Sequence, residues 1–248
     1  MKKYLKQLKK KLTGVGNLSN TEYNKNLWDR YAKRWNRNSI PFEDAKLVRE
    51  NDLFLGDEWG NREDVEWVVE NYIKPFITKQ SVVAEIGTGG GRVASKVAPL
   101  TKEFFCFDIS QEMLKKAKLV LNHYPHTHYV LLKNAVFPKE FNNRFDFVYS
   151  FDVFVHLDLH TIWAYMQEFA RILKKGGRVF IHTTNLKAPD GWKRFSSQDE
   201  YKVEGHYFIV PEVIDVLAHR SGLKIIKRSE IDPKNFYLNR DYLVVLEK

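Results

Sequence analysis

Two histidines and an aspartate stand where short apolar runs end, and their types define the chemistry that the chain can offer. Asp152 and His156 lie four residues apart in Ser150-Phe151-Asp152-Val153-Phe154-Val155-His156-Leu157. On a helix that spacing puts them on one face, where the carboxylate favours a protonated imidazole and the pair can move a proton. His182 ends the apolar run Val179–His182. If that run is a strand of a parallel sheet, the ring points toward the crevice where ligands sit, beyond the carboxyl ends of the strands. His156 is the expected general base, Asp152 its neighbour, and His182 a substrate contact. Asp158 and His160 lie close by, but the five match no metal-ligand spacing, so no metal is expected.

A second group reads as a nucleotide site. Val82-Val83-Ala84-Glu85-Ile86-Gly87-Thr88-Gly89-Gly90-Gly91-Arg92-Val93-Ala94 runs from an apolar strand through glycines into an apolar-periodic helix. Glycines in such a turn let backbone amides approach a ligand that a Cβ would hold away. Asp108 ends the next apolar run, 21 residues beyond Gly87, placed to accept hydrogen bonds from ribose hydroxyls. A dinucleotide loop would read Gly-x-Gly-x-x-Gly, but Arg92 holds the third glycine's place. The spacing is instead Glu85-x-Gly87-x-Gly89-x-Gly91, which weighs against a nicotinamide oxidoreductase.

In this acid and glycine spacing the sequence resembles the class I S-adenosylmethionine-dependent methyltransferases, over about Val82 to Lys248. Phe107-Asp108-Ile109-Ser110-Gln111-Glu112-Met113-Leu114 looks like their second motif. Arg144–Ser150 resembles their fourth-strand motif, and Arg171-Ile172-Leu173-Lys174-Lys175-Gly176-Gly177 the turn before their fifth strand, with Lys175 where proline is usual. The resemblance implies S-adenosylmethionine as cofactor, held by Glu85, Gly87, Thr88, Gly89 and Gly91. It implies Asp108 on the ribose, Ile109 and Met113 against adenine, and Asn134 and Ala135 at the adenine edge, where relatives carry an acid in place of Asn134. Ser150 and, from the N-terminal cover, Tyr31 and Trp59 are expected near the same ligand.

The elements that must position these residues follow from periodicity. Short apolar runs at Val82–Ile86, Phe104–Phe107, Tyr129–Leu132, Phe145–Tyr149, Val179–His182, Leu223–Lys227 and Tyr242–Leu246 alternate with amphipathic stretches, the mark of βα units. The expected fold is α/β: a doubly wound, mostly parallel seven-stranded sheet, Rossmann-like, with an N-terminal helical extension. Ser110 is expected to cap one helix, Lys174–Gly177 to close another, and Pro211 to open one that Gly222 ends. Tyr23, Trp28, Tyr31 and Trp35 recur at helical intervals, and Val65, Val68, Val69 and Tyr72 form a stripe that ends before Pro75. The expected organisation is a basic segment and linker over 1–20, a helical cover over 21–75, and a cofactor-binding domain over 76–248 with a lid at 185–210. That lid mixes Trp192, Phe195, Tyr201 and Tyr207 with Lys193, Arg194 and His206, residues suited to a ring or an anion.

Composition narrows the partners. The chain has 248 residues with a formal charge of +9 and 44% hydrophobic residues, enough for one substantial core and a preference for anionic partners. Residues 1–12, MKKYLKQLKKKL, read as a solvated basic terminus or as a weak membrane-surface contact. With no long apolar run and no apolar signal-peptide centre, a cytoplasmic location is expected. The lone Cys106 sits in the run Phe104–Phe107 and reads as core. The expected reaction is O-methylation of a small molecule or glycan, with an anionic or lipid-linked saccharide fitting the basic start and lid. The alternatives are a nucleic-acid methyltransferase, against which the absence of an Asn/Asp-Pro-Pro-Tyr motif and of an RNA-binding module counts, and a non-catalytic cofactor-binding subunit. Oligomeric state is not read from the sequence.

Overall fold

A computed structural model describes residues 18–35, 55–56, 62–198 and 205–248. The basic segment 1–12, its glycine linker, Trp59 and Tyr201 lie outside them. Seven strands form one sheet: β1 Val82–Ile86, β2 Glu103–Asp108, β3 Thr127–Leu131, β4 Phe145–Ser150, β5 Leu173–Thr184, β6 Lys224–Arg228 and β7 Asp241–Glu247. Their order is β3-β2-β1-β4-β5-β7-β6. The ladders among β1 to β5 are parallel, whereas β7 lies antiparallel to both β5 and β6. The sheet is therefore mixed, and the final strand is reversed because it inserts between β5 and β6 as a hairpin partner.

Alternation along the strands divides the core between two faces. Val82, Ala84 and Ile86 join Phe105, Phe107, Val148 and Ile181 on one face, under helices α5 (Leu159–Ile172) and α7 (Pro211–Arg220). Val83, Phe104, Cys106, Phe147 and Phe180 take the other face, under α2 (Arg62–Val68), α3 (Ala94–Val97) and α4 (Gln111–Val120). Cys106 is fully buried there, and burial pushes its thiol well up. The stripe entering the sheet continues α2 through a wide turn, Val69–Ile73, and a 3-10 turn, Lys74–Phe76, where Pro75 withholds its amide. Ser110 caps α4 by accepting the Met113 N–H at 3.1 Å, Pro211 opens α7, and Gly222 follows it at φ +76. Lys174–Gly177 belong to β5, which starts directly after α5.

Helix α1 (Asn20–Arg34) begins with a capping box, the Ser19 hydroxyl accepting the Glu22 N–H while the Glu22 carboxylate accepts the Ser19 N–H. It lies across α4, where Asp29 accepts from the Ser110 hydroxyl at 2.6 Å and from the Glu112 N–H at 3.3 Å. Within the stretch expected to form a lid, Pro189–Ser196 make helix α6. Among the described residues no helix is long and apolar enough to cross a membrane.

Candidate functional site

The strand order reverses at β1, which has β2 on one side and β4 on the other. Loops leaving these strands diverge there and open a crevice. A cavity lies in it, walled by residues at the ends of β1, β2 and β4 and in the loops that follow them, and roofed by Asn24 and Trp28 of α1 with Leu55 and Gly56.

The turn after β1 is set by hydrogen bonds from the Gly87 N–H (2.7 Å) and Thr88 N–H (3.2 Å) to the Phe107 carbonyl. Gly87 and Gly89 have φ of +73 and +56, a region that side-chain-bearing residues disfavour. Their reasons for lacking a side chain differ. A Cβ on Gly87 would lie 2.4 Å from a Val153 methyl, whereas a Cβ on Gly89 would meet nothing within 4 Å and would enter the cavity. The Gly89 N–H donates to Asp108 at 2.9 Å, and the other Asp108 oxygen accepts the Ser110 N–H at 2.7 Å. Burial pushes the Asp108 carboxyl up to about 6, although those backbone donors oppose the rise. Glu85 is buried beneath the same loop, its carboxyl raised well above the usual range by burial, and its Oε2 has no hydrogen-bond partner. A buried carboxyl oxygen without a donor, beside a glycine whose missing Cβ leaves open space, is a place for a ligand ammonium.

Of the residues expected at the cofactor, Glu85, Gly87, Thr88, Gly89, Asp108, Ile109 and Met113 line the cavity. Gly91, Asn134, Ala135, Ser150 and Tyr31 do not. Gly91 serves packing: a Cβ there would press on Ala117 and Val120 of α4 at 3.3–3.4 Å. The Asn134 side-chain Oδ1 turns back to accept the Val136 N–H at 3.0 Å, and Ala135 is buried in the core, so Leu132 takes the wall instead. The Ser150 hydroxyl donates to the Ile86 carbonyl at 2.9 Å and straps β4 to β1. Tyr31 packs edge-on against Trp28, which reaches the cavity in its place.

The expected proton-moving group also separates. Residues 152–156 are not one helix: Asp152 sits at φ +57 and only Phe154–His156 make a 3-10 turn, because Phe151, Phe154, Val155 and Leu157 all enter the core. Asp152 pairs not with His156 but with Arg92 (Oδ2 to NH2, 3.0 Å) and His182 (Oδ1 to Nδ1, 3.3 Å). Burial opposes its ionisation, yet His182 and then Arg92 hold the carboxyl well below the usual range. His182 is fully buried behind the wall, its Nε2 2.9 Å from Asp241, which Arg240 also contacts at 2.6 Å. Burial and the Asp152 N–H, 3.1 Å from Nδ1, resist a charge on that ring, but Asp241 and Asp152 outweigh them and push its pKa up to about 9.

His156 does line the cavity. Its Nδ1 lies 3.3 Å from the Gly205 carbonyl, and Trp28 packs edge-on at 5.4 Å between ring centroids. A carbonyl only accepts, so the proton sits on Nδ1 and Nε2 carries a lone pair. Burial lowers its pKa, which keeps the ring neutral. Its carbonyl accepts from the side-chain amides of Asn20 (3.0 Å) and Asn24 (3.3 Å), so α1 holds this loop as well as α4. Among the described residues no group of three His, Cys, Asp or Glu is gathered as metal ligands.

Sequence reasoning did not single out Asn24, Leu55 or Val153, nor Arg92 as a wall residue. The asparagines at 20 and 24 interrupt the aromatic face of α1 at one-turn spacing, a signal that was present. The Arg92 contact to the Gly56 carbonyl bridges 36 residues and leaves no local trace.

Residues 84–181 match a family model described as a methyltransferase domain. No curated protein sequence matches the chain. Among solved structures, magnesium protoporphyrin IX methyltransferase from Synechocystis with bound S-adenosylhomocysteine is similar at a TM-score of 0.65 and 14% identity, over 93% of this chain and 100% of that one. The N-methyltransferase NodS from Bradyrhizobium japonicum, in complex with the same ligand, aligns at 0.61 and 16% identity, over 93% and 99%. A Haloferax volcanii methyltransferase bound to an activator protein aligns at 0.57 and 15%, over 75% and 90%. At these identities the likeness is one of fold.

Proposed function

We propose that this chain is a class I, S-adenosylmethionine-dependent methyltransferase that methylates an oxygen of a small molecule or glycan, with His156 as general base; the match of residues 84–181 to a methyltransferase-domain model supports the first part of that reading. The observation that carries this reading is that His156 lines the cavity with its Nδ1 3.3 Å from the Gly205 carbonyl, a contact that puts a neutral ring's proton on Nδ1 and makes Nε2 the base.

When bound, S-adenosylmethionine supplies a methyl group already activated on a sulfonium, so the protein's main tasks are alignment and exclusion of water. Asp108 accepts from ribose hydroxyls, Glu85 receives the amino acid's ammonium, and Ile109, Met113 and Leu132 give the base an apolar seat. His156 Nε2 takes the hydroxyl proton of the acceptor, whose oxygen receives the methyl group of S-adenosylmethionine, so that the product is a methyl ether. Asp152 and His182 position the loop that carries His156. The division we propose is a cover over 21–75 and a catalytic domain over 76–248, with the lid at 185–210.

Incubation with methyl-labelled S-adenosylmethionine and a cell extract, fractionated into lipid, glycan, small-molecule and RNA pools, tests the reading. Label is expected in the glycan or small-molecule pool, and His156→Gln should lower the transfer rate about 10²–10⁴-fold while S-adenosylhomocysteine binding stays within threefold. Label confined to RNA, or full activity of the variant, defeats it.

A further inference from the structure

Arg92, Arg144, Arg171, Arg178 and Arg240 each face a carboxylate. Arg194 of α6 does not: its side chain is half-buried, yet among the described residues its guanidinium meets no carboxylate or carbonyl within bonding distance. Helix α6 is seated firmly. A Cβ on Gly191 would lie 2.0 Å from the Asn185 carbonyl and 2.7 Å from that of Arg240, and the Asp190 N–H donates to the Asn239 carbonyl at 2.9 Å. This seat brings Arg194 within electrostatic reach of Arg240, Asp241 and Asp152, and of the rings of His156 and His206.

Two further features mark this corner. Its described charges do not balance: Arg92, Arg194 and Arg240 face Asp152 and Asp241, three positive against two negative, before any charge on His182 is added. Burial, with Arg194 next, pushes His206 down to about 3, so neither His206 nor the neutral His156 changes that excess. Rings also lead outward from the cavity wall: His156 to His206 at 5.0 Å, His206 to Phe208 at 6.2 Å, Phe208 to Phe195 at 5.4 Å and Phe195 to Trp192 at 5.5 Å. Trp192 and Phe195 are exposed at its outer end. A cation taken from water without a counter-charge is costly, and a guanidinium fork matches the paired oxygens of a carboxylate or phosphate.

We propose that Arg194 anchors an oxyanion carried by the methyl acceptor, which makes the substrate class a ring-bearing small molecule with a carboxylate or phosphate. This rests on the methyltransferase reading and narrows its acceptor. The anion binds at Arg194, the ring lies against the aromatic track, and the hydroxyl faces His156.

The test is calorimetric titration of the S-adenosylhomocysteine-saturated protein with benzoate, phenyl phosphate and benzyl alcohol. At least one anion should bind, with benzyl alcohol tenfold or more weaker, and the better anion tells carboxylate from phosphate. Arg194→Gln should weaken anion binding at least tenfold, Arg194→Lys less, with S-adenosylhomocysteine affinity unchanged. Without an anion, the Arg194→Gln melting temperature should equal or exceed wild type, since an uncompensated charge is gone. Absence of binding by both anions, equal binding of benzyl alcohol, or unaltered anion binding by Arg194→Gln overturns the assignment. Wild-type protein that failed to bind S-adenosylhomocysteine would instead sink the methyltransferase reading itself.

Discussion

The carboxylate of Asp29 accepts the Ser110 hydroxyl at 2.6 Å, and through that contact helix α1 is fastened to the first turn of the helix that follows Asp108. The same helix holds the His156 loop through Asn20 and Asn24. One element thus spans the cavity from the start of α4 to the His156 loop. Asp29→Ala should remove both this bond and that to the Glu112 N–H, a loss of about 1 kcal/mol and roughly 2–4 °C in Tm for a chain of this size. It should also weaken S-adenosylhomocysteine binding several-fold. Differential scanning calorimetry and titration calorimetry read the two effects, and an unchanged affinity would show that the roof is not part of the ligand site.

Gly89 and Gly87 predict opposite failures. Gly89→Val puts its side chain into the cavity at a cost to the fold of about 1–2 kcal/mol for the left-handed backbone, so the protein should fold and lose S-adenosylhomocysteine binding by tenfold or more. Gly87→Ala drives its methyl into Val153 and should lower Tm by more than Gly89→Val does. Equal losses of stability in the two variants would contradict the difference between the two sites.

Asp108 gives cofactor binding a pH dependence. Its folded-state value of about 6 lies above the ordinary 3.8, so in the ligand-free protein this group costs stability increasingly as pH rises from 3.8 through 6. Ribose hydroxyls favour the charged form and relieve that cost. S-adenosylhomocysteine should therefore bind more tightly at pH 7 than at pH 5 and release protons on binding near pH 6, detectable in buffers of different ionisation enthalpy. Asp108→Asn should abolish the part of the release centred near 6, and Glu85→Gln any part that comes from a second carboxyl raised by burial. Binding that is independent of pH in wild type would refute both roles.

His182 should make stability fall in alkali. Its value of about 9 in the fold lies above 6.5, so its stabilising charge is fully present below pH 6.5 and lost as pH rises through 9. His182→Asn should flatten the urea-unfolding free energy across pH 7–9. If the variant keeps the wild-type slope, His182 is neutral in the fold.

Outside β5, which begins six residues before Val179–His182 and takes in the Lys174–Gly177 stretch expected to close a helix, the strand positions were legible as short apolar runs: Val82–Ile86 matches its strand from end to end, and the other five differ by one or two residues at their ends. The reversal of β7 was not, since an apolar run carries no direction. The acid and glycine spacing located Gly87, Gly89 and Asp108, whose placement is local. Gly91 shows the limit of that reasoning, for the same residue type at the same spacing packs against α4 and lies off the cavity wall. The pairing of Asp152 with His156 failed because five apolar residues among seven leave no single helical face to bury, and the chain turns at Asp152 instead.

The close seat of Val153 on Gly87 ties the two halves of the reaction together. The turn after β1 and the loop after β4, which carries the proposed base His156, meet at a glycine with no room for one more carbon, so neither can be redrawn alone. Attempts to retarget this enzyme to new acceptors should leave Val153 in place and vary the lid, where a change of preference need not loosen the grip on the donor.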